Sequence, residues 1–231
     1  MSQASKTRLV IQPSISRIND GLYLGDCDAS VSVPILQEHN ITSMVSLSGG
    51  RDMCWYRARN RMLVPRERHL FIPCLDTSTQ NLLDRMPEIC DFIDKMLALP
   101  PIGKPSLAAV ISDPLATVAE VDPSITIPPR VLVHFQMGIS RSATVVIAYL
   151  IRKTRKSLEE MLGEVKGKRK IKPNPNFVEL LMVWGEVEYN VWVDKEGTIP
   201  KEPYRLYLER RAVRLTEKGL TGNEPVGPVM L

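Results

Sequence analysis

The sequence predicts an α/β or α+β fold, a central mostly parallel sheet flanked by helices, on two observations. The run VLVH (Val131–His134) is continuously apolar up to its histidine, the pattern of a strand covered on both faces, and ITSMVSL (Ile41–Leu47) reads as a second buried strand. Segments of helical spacing alternate with these runs, which places helices against a mostly parallel sheet in one domain. At 231 residues the chain is long enough for one domain with tails or an insertion. With 44% hydrophobic and 24% charged residues it is neither a disordered chain, a collagen-like repeat nor a coiled coil.

The elements follow in order. Residues 1–13 are polar and read as a tail. The domain is expected over 14–190, starting with S-I-S-R-I and the G-L-Y-L-G run (Gly21–Gly25). V-P-I-L-Q-E-H carries a short helix pattern. Ile41–Leu47 follows as a strand, ended by Gly49-Gly50. HLFIPCL (His69–Leu75) is a further strand. Thr77–Leu99 has helical spacing, with Leu82, Leu83, Met86, Ile89, Phe92, Ile93 and Met96 on one face. Pro100–Pro129 holds 7 of the 18 prolines and no aromatic residue, so it reads as a long surface insertion. It leads into the start of VLVH, whereas chemistry in such sheets sits beyond the strands' carboxyl ends. The insertion therefore belongs on the far side from a site. Helices are expected at Ser142–Lys153, Leu158–Lys168 and Phe177–Tyr189, and residues 191–231 as a C-terminal tail with a short helix near Tyr204–Leu215.

The net charge of +4 is no nucleic-acid signature by itself. Arg51–Arg68 carries six arginines against two acids, and Arg152–Lys172 nine basic residues against three acids. A solvated basic face accounts for both, with attraction to a phosphorylated partner or a nuclear import signal in KGKRK (Lys166–Lys170) as sharper readings. No run of about 18 apolar residues is present, so no membrane span is expected. The first 20 residues lack the apolar segment of a secretory signal. Cys27, Cys54, Cys74 and Cys90 form no CxxC pair, which supports neither a zinc site nor a disulfide framework.

The informative stretch is His134-Phe135-Gln136-Met137-Gly138-Ile139-Ser140-Arg141-Ser142. A buried strand breaks into a glycine-containing loop and a helix starts at once. Converging backbone N–H groups and the helix's positive end form a cradle sized for a phosphate. Arg141 can clamp two phosphate oxygens through its guanidinium fork, and Ser142 is placed to cap the helix or donate into the loop.

VLVHFQMGISRSATVVIAYLI resembles the signature of the dual-specificity subgroup of the cysteine-dependent protein tyrosine phosphatases, H-C-x-x-G-x-x-R-S/T between strand and helix. G-L-Y-L-G, the unit ending in ITSMVSL, Asp76 after a strand, and P-N-P-N-F-V-E-L-L extend the resemblance over about residues 14–190 without the insertion. It implies a phosphatase-like fold, a phosphate-binding loop over His134–Arg141, and Asp76 at the position of the general acid. It implies no metal and no cofactor.

One position departs. Where the family has its nucleophilic thiolate, this chain has Phe135, and a phenyl ring attacks nothing. Without a nucleophile, Asp76 reads as a cap for the helix marked by Thr77, Ser78 and Thr79, His134 as a buried structural histidine, and Ser142 as a helix-start residue. Cys74 is a poor substitute, being on another strand. The ring either occupies the phosphate space or turns into the core, so weak or absent phosphate binding is expected.

The resemblance thus points to an inactive, STYX-type pseudophosphatase. Such a protein acts by binding proteins: phosphorylated signalling proteins, a kinase it anchors, or a ubiquitin-ligase receptor it masks. It is expected as a monomer in the cytoplasm, with the nucleus open, and without nucleic-acid or membrane partners. The alternative is an active protein phosphatase in which Phe135 is a variant or an error, since one base change converts a Cys codon to a Phe codon. A phosphoinositide or RNA phosphatase is disfavoured, because Gln136, Met137, Ile139 and Ser140 put no Lys or Arg inside the loop.

Overall fold

The computed structural model describes residues 12–47, 58–105, 121–222 and 224. In chain order the elements are β1 (Ile15–Arg17), β2 (Leu22–Gly25), α1 (Cys27–Val31), α2 (Val33–Glu38), β3 (Ser43–Leu47), α3 (Ala58–Leu63) and β4 (His69–Ile72). They continue with α4 (Met86–Leu97), β5 (Ile102–Pro105), β6 (Val121–Ile127), β7 (Val131–His134), α5 (Arg141–Thr154), α6 (Leu158–Lys168), α7 (Pro175–Glu186) and α8 (Glu202–Glu217). Gly49-Gly50, the expected end of the first buried strand, lies outside the described residues.

The main sheet runs β1-β2-β7-β3-β4, with β1 antiparallel and the rest parallel. β7 is the central strand, and Val131, Leu132, Val133 and His134 are all buried, as its unbroken apolar pattern requires. α5 follows directly. Every residue from Arg141 to Ile151 is buried, so this helix is sheathed by the sheet and its neighbouring helices rather than lying on the surface. Trp184 Nε1 donates to the Ala148 carbonyl at 3.1 Å and ties α7 onto it. The sheet with its helices is the expected α/β architecture.

Three segments differ from expectation. Helical spacing over Thr77–Leu99 yields a helix only from Met86. Pro87 favours a helix start there, and the Asn81 side chain accepts from Leu83 N–H at 3.1 Å in a local turn that competes with helix. Leu82 and Leu83 are buried all the same. The proline-rich stretch is more than a loop. Its ends, β5 and β6, pair antiparallel in a separate two-stranded sheet. In a two-stranded ribbon each strand is an edge, where proline is tolerated, and Ile125, Thr126 and Ile127 favour extended backbone. Residues 106–120 lie outside the described residues. The ribbon sits at the amino end of β3, where Ile102 and Ile127 line a small pocket with Leu36, Ile41 and Leu63, away from the carboxyl end of β7. Lastly, the helix expected as short near Tyr204–Leu215 runs 16 residues. Tyr204 and Tyr207 are buried in the main core with Val191, so this helix is packed into the body of the protein.

Candidate functional site: the loop between β7 and α5

The loop His134–Arg141 leaves the carboxyl end of the central strand. Its carbonyls are bound from outside. Cys27 N–H donates to the Gln136 carbonyl at 3.3 Å and Lys172 N–H to the Ile139 carbonyl at 2.9 Å. Between them, Arg169 donates from Nη2 to the Met137 carbonyl at 3.1 Å and from Nε to the Gly138 carbonyl at 2.9 Å. A peptide's C=O and N–H point in opposite directions, so bonds to outside donors favour inward amides, except at Gly138, whose N–H donates to the Phe135 carbonyl at 3.1 Å. Gly138 has φ +65°, and a Cβ there would lie 2.4 Å from the Gly25 carbonyl oxygen. No side chain fits.

The centre is filled from within. Phe135 is half-buried against the main core, and its ring lies over Arg141, with the guanidinium carbon 2.9 Å from the ring centroid. Arg141 itself is buried, donates from Nη1 to the Cys74 carbonyl at 2.9 Å, and stands 3.6 Å from Asp76 Oδ2 through Nε. The ring thus meets both the main core and the arginine's face.

Asp76 is brought to the loop, as the resemblance implied, but it caps no helix, since α4 begins at Met86. Its Oδ1 accepts from Ser140 Oγ at 3.1 Å and from Asn174 Nδ2 at 2.5 Å. Ser142 is likewise not a cap. It lies inside α5, and its buried Oγ has no partner. Cys74 is buried, and burial pushes its thiol up to about 12, partly offset by Arg141, so it is no thiolate at neutral pH.

His134 is the buried structural histidine expected. Its Nε2 is 2.5 Å from Ser46 Oγ, which is 2.7 Å from His69 Nε2, whose Nδ1 is 3.2 Å from Arg61 Nη1. Arginine can only donate, so His69 Nδ1 accepts and its Nε2–H donates to Ser46. The Ser46 hydroxyl then donates to His134 Nε2, which leaves the His134 proton on Nδ1. Burial holds His134 at about 3 and His69 at about 2, with His134 and Arg61 as further causes for the latter.

Two supports escaped the sequence reading. Arg169 and Lys168 belong to the KGKRK run, yet Arg169 braces the loop and Lys168 Nζ donates to the Ile18 carbonyl at 2.5 Å. Asn176 holds the segment after Asp76, donating to the carbonyls of Thr77 at 3.3 Å and Gln80 at 2.9 Å. Among the described residues no three His, Cys, Asp or Glu side chains are grouped to hold a metal ion.

A family model described as dual specificity phosphatase, catalytic domain, matches residues 116–187, the stretch that contains this loop. This stretch resembles the catalytic domain of the dual-specificity phosphatases. The chain is 32% identical over 149 residues to tyrosine-protein phosphatase yvh1 of Schizosaccharomyces pombe, a match covering 64% of this chain and 35% of that protein. The chain thus spans about a third of the length of curated relatives it matches. The human tyrosine phosphatase-like serine/threonine/tyrosine-interacting protein shares its fold with a TM-score of 0.54 at 23% identity, over 76% of this chain and 98% of that one. The Yvh1 phosphatase domain of Chaetomium thermophilum does so with a TM-score of 0.55 at 24% identity, over 75% and 96%. In this chain the loop carries its braced carbonyls, Asp76 stands beside it, and Phe135 follows His134.

Proposed function

We propose that this domain hydrolyses no phosphate ester and acts by binding proteins of phospho-signalling, as competitor, anchor or scaffold. One observation supports the reading: the ring of Phe135, which stands where the resemblance places the nucleophile, covers the Arg141 guanidinium. Hydrolysis in this family's manner needs a thiolate at that point to form a cysteinyl-phosphate. Cys74, held protonated by burial, does not supply it. Arg141 is instead engaged by the Cys74 carbonyl, by Asp76 and by the ring.

The purified protein is expected to turn over neither aryl phosphate nor a phosphotyrosine peptide above buffer. Turnover that disappears in Arg141→Ala would overturn the reading. Turnover that survives that substitution comes from another enzyme in the preparation.

A further inference from the structure

Three of the four loop carbonyls, those of Gln136, Met137 and Gly138, are braced by two routes, and both pass through Ser14. Arg169, which holds Met137 and Gly138, also donates from Nη1 to Ser14 Oγ at 2.9 Å, with Ser16 Oγ at 3.4 Å from the same nitrogen. Asp26, just before the Cys27 amide that holds Gln136, accepts from Ser14 N–H through Oδ2 at 2.8 Å and returns its own N–H to the Ser14 carbonyl at 3.0 Å. Asp26 is buried and caps α1 through Ala29 N–H at 2.8 Å. Ser14 itself is exposed, beside the edge strand β1. An accessible hydroxyl therefore stands between a guanidinium and a carboxylate that together hold the loop.

We propose that Ser14 is a phosphorylation site through which a protein kinase loosens the signature loop. In the step, Ser14 Oγ bonds to the γ-phosphorus of ATP, the bond to the ADP oxygen breaks, and the hydroxyl proton leaves to the kinase's base. The phosphoserine carries close to two negative charges and three acceptor oxygens. A guanidinium meets a phosphate best with two parallel N–H groups. Arg169 reaches Ser14 through Nη1 alone, so centring its Nη1–Nη2 edge on the phosphate shifts the guanidinium and misaligns its opposite edge, Nε and Nη2, from the Gly138 and Met137 carbonyls. The same charge is repelled by the Asp26 carboxylate, which weakens the link to Cys27 and Gln136. Both routes relax the loop in the same direction. The inference stands on these supports alone and holds whether or not the loop is catalytically silent.

The test installs phosphoserine at position 14 of the full chain by genetic encoding and follows amide hydrogen exchange by mass spectrometry. Amides of residues 137–140 are expected to exchange about tenfold faster than in the unmodified protein. Ser14→Ala should change them far less, because Met137 and Gly138 keep their donors. In Arg169→Ala the loop should exchange fast already, and phosphoserine should add little. Equal exchange with and without the phosphate, or the same acceleration in Arg169→Ala, would overturn the proposal. So would mass spectrometry of the protein from its source cells showing Ser14 unmodified under kinase-activating conditions.

Discussion

The rim and the centre of the loop between β7 and α5 have parted company. At the rim, the carbonyls of residues 136–139 each have a donor, drawn from α1, from Arg169 after α6, and from Lys172. At the centre, His134 Nδ1, Arg141 Nε and Ser142 Oγ are buried polar atoms without hydrogen-bond partners, and an apolar ring covers the guanidinium. Buried polar atoms ordinarily find partners, so three without one around a single loop set its centre apart from its rim. The rim is structural: it turns a strand into a helix and would fail if altered. The centre makes none of these four carbonyl bonds, so it can change while the rim stands.

The sharpest way to break this comparison is to restore the centre alone. If the rim still holds catalytic geometry, Phe135→Cys should hydrolyse aryl phosphate roughly 10³-fold or more above the parent protein. Asp76→Ala in that background should then lower the rate for poor leaving groups by roughly 10²–10⁴-fold. A well-folded Phe135→Cys protein without turnover would mean that the rim has drifted too, with Asp76 held too firmly by Ser140 and Asn174 to serve as an acid.

The rim is tested by Gly138→Ala. The added Cβ would lie 2.4 Å from the Gly25 carbonyl oxygen and 2.7 Å from Arg169 Nη2, at a φ of +65°. Strain of this kind costs about 1–3 kcal/mol before any displacement of Arg169, so a loss near the top of that range is expected in urea unfolding. Gly163→Ala in α6 is the control, since nothing stands within 4 Å of its Cβ. That change should stabilise by about 0.5–1 kcal/mol. Similar effects at the two glycines would remove the case for a structural rim.

How much of this could be read from the sequence divides along the range of the interactions. The central strand, the loop and α5 are contiguous, and their pattern is local. α6 matches its expected bounds, Leu158–Lys168, and Ser157 and Glu160 form a reciprocal cap at its start. The role of Arg169 was not. Its acceptors are backbone carbonyls 31 and 32 residues away and serine hydroxyls more than 150 residues away, and bonds to carbonyls leave no trace in residue type. The one available signal was the extended chain after α6, where Ile171 is buried between exposed Lys170 and Lys172. That alternation puts Arg169 on the inner side with Ile171, so the run is not a uniform solvated face. β5 and β6 were missed for a different reason. Proline content argues against strands in a wide sheet, and that argument does not apply to a two-stranded ribbon.

A third measurement probes the hydrogen-bonded chain beneath the loop. His134 and His69 are held at about 3 and 2 in the fold, against 6.5 when exposed, so both are neutral there. Between pH 6.5 and about 3 the unfolded chain binds protons that the folded one refuses. The stability these histidines contribute is therefore fully present above 6.5 and is lost as pH falls through that window, by about 1 kcal/mol per pH unit for each. Urea midpoints should drop between pH 7 and 5, and His69→Gln should flatten the drop. A profile unchanged by that substitution would place the acid sensitivity elsewhere.

The smallest expected effect bears on the centre most directly. If the Phe135 ring excludes an anion from Arg141, sulfate or vanadate should hardly raise the melting temperature of the parent protein. Phe135→Gly loses the ring's packing and the cation–π contact, so its melting temperature starts lower. It should nevertheless respond to the anion, gaining about 1.4 kcal/mol when the anion is tenfold above its dissociation constant. The gain must depend on Arg141, because the amides alone lack the charge-assisted fork. Phe135→Gly combined with Arg141→Ala should therefore show none. The comparison is between slopes of stability against anion concentration, which separates binding from the fixed cost of losing the ring. Equal slopes in the parent and in Phe135→Gly would show that the ring does not close the cradle, and the centre would then differ from an active site in its nucleophile alone.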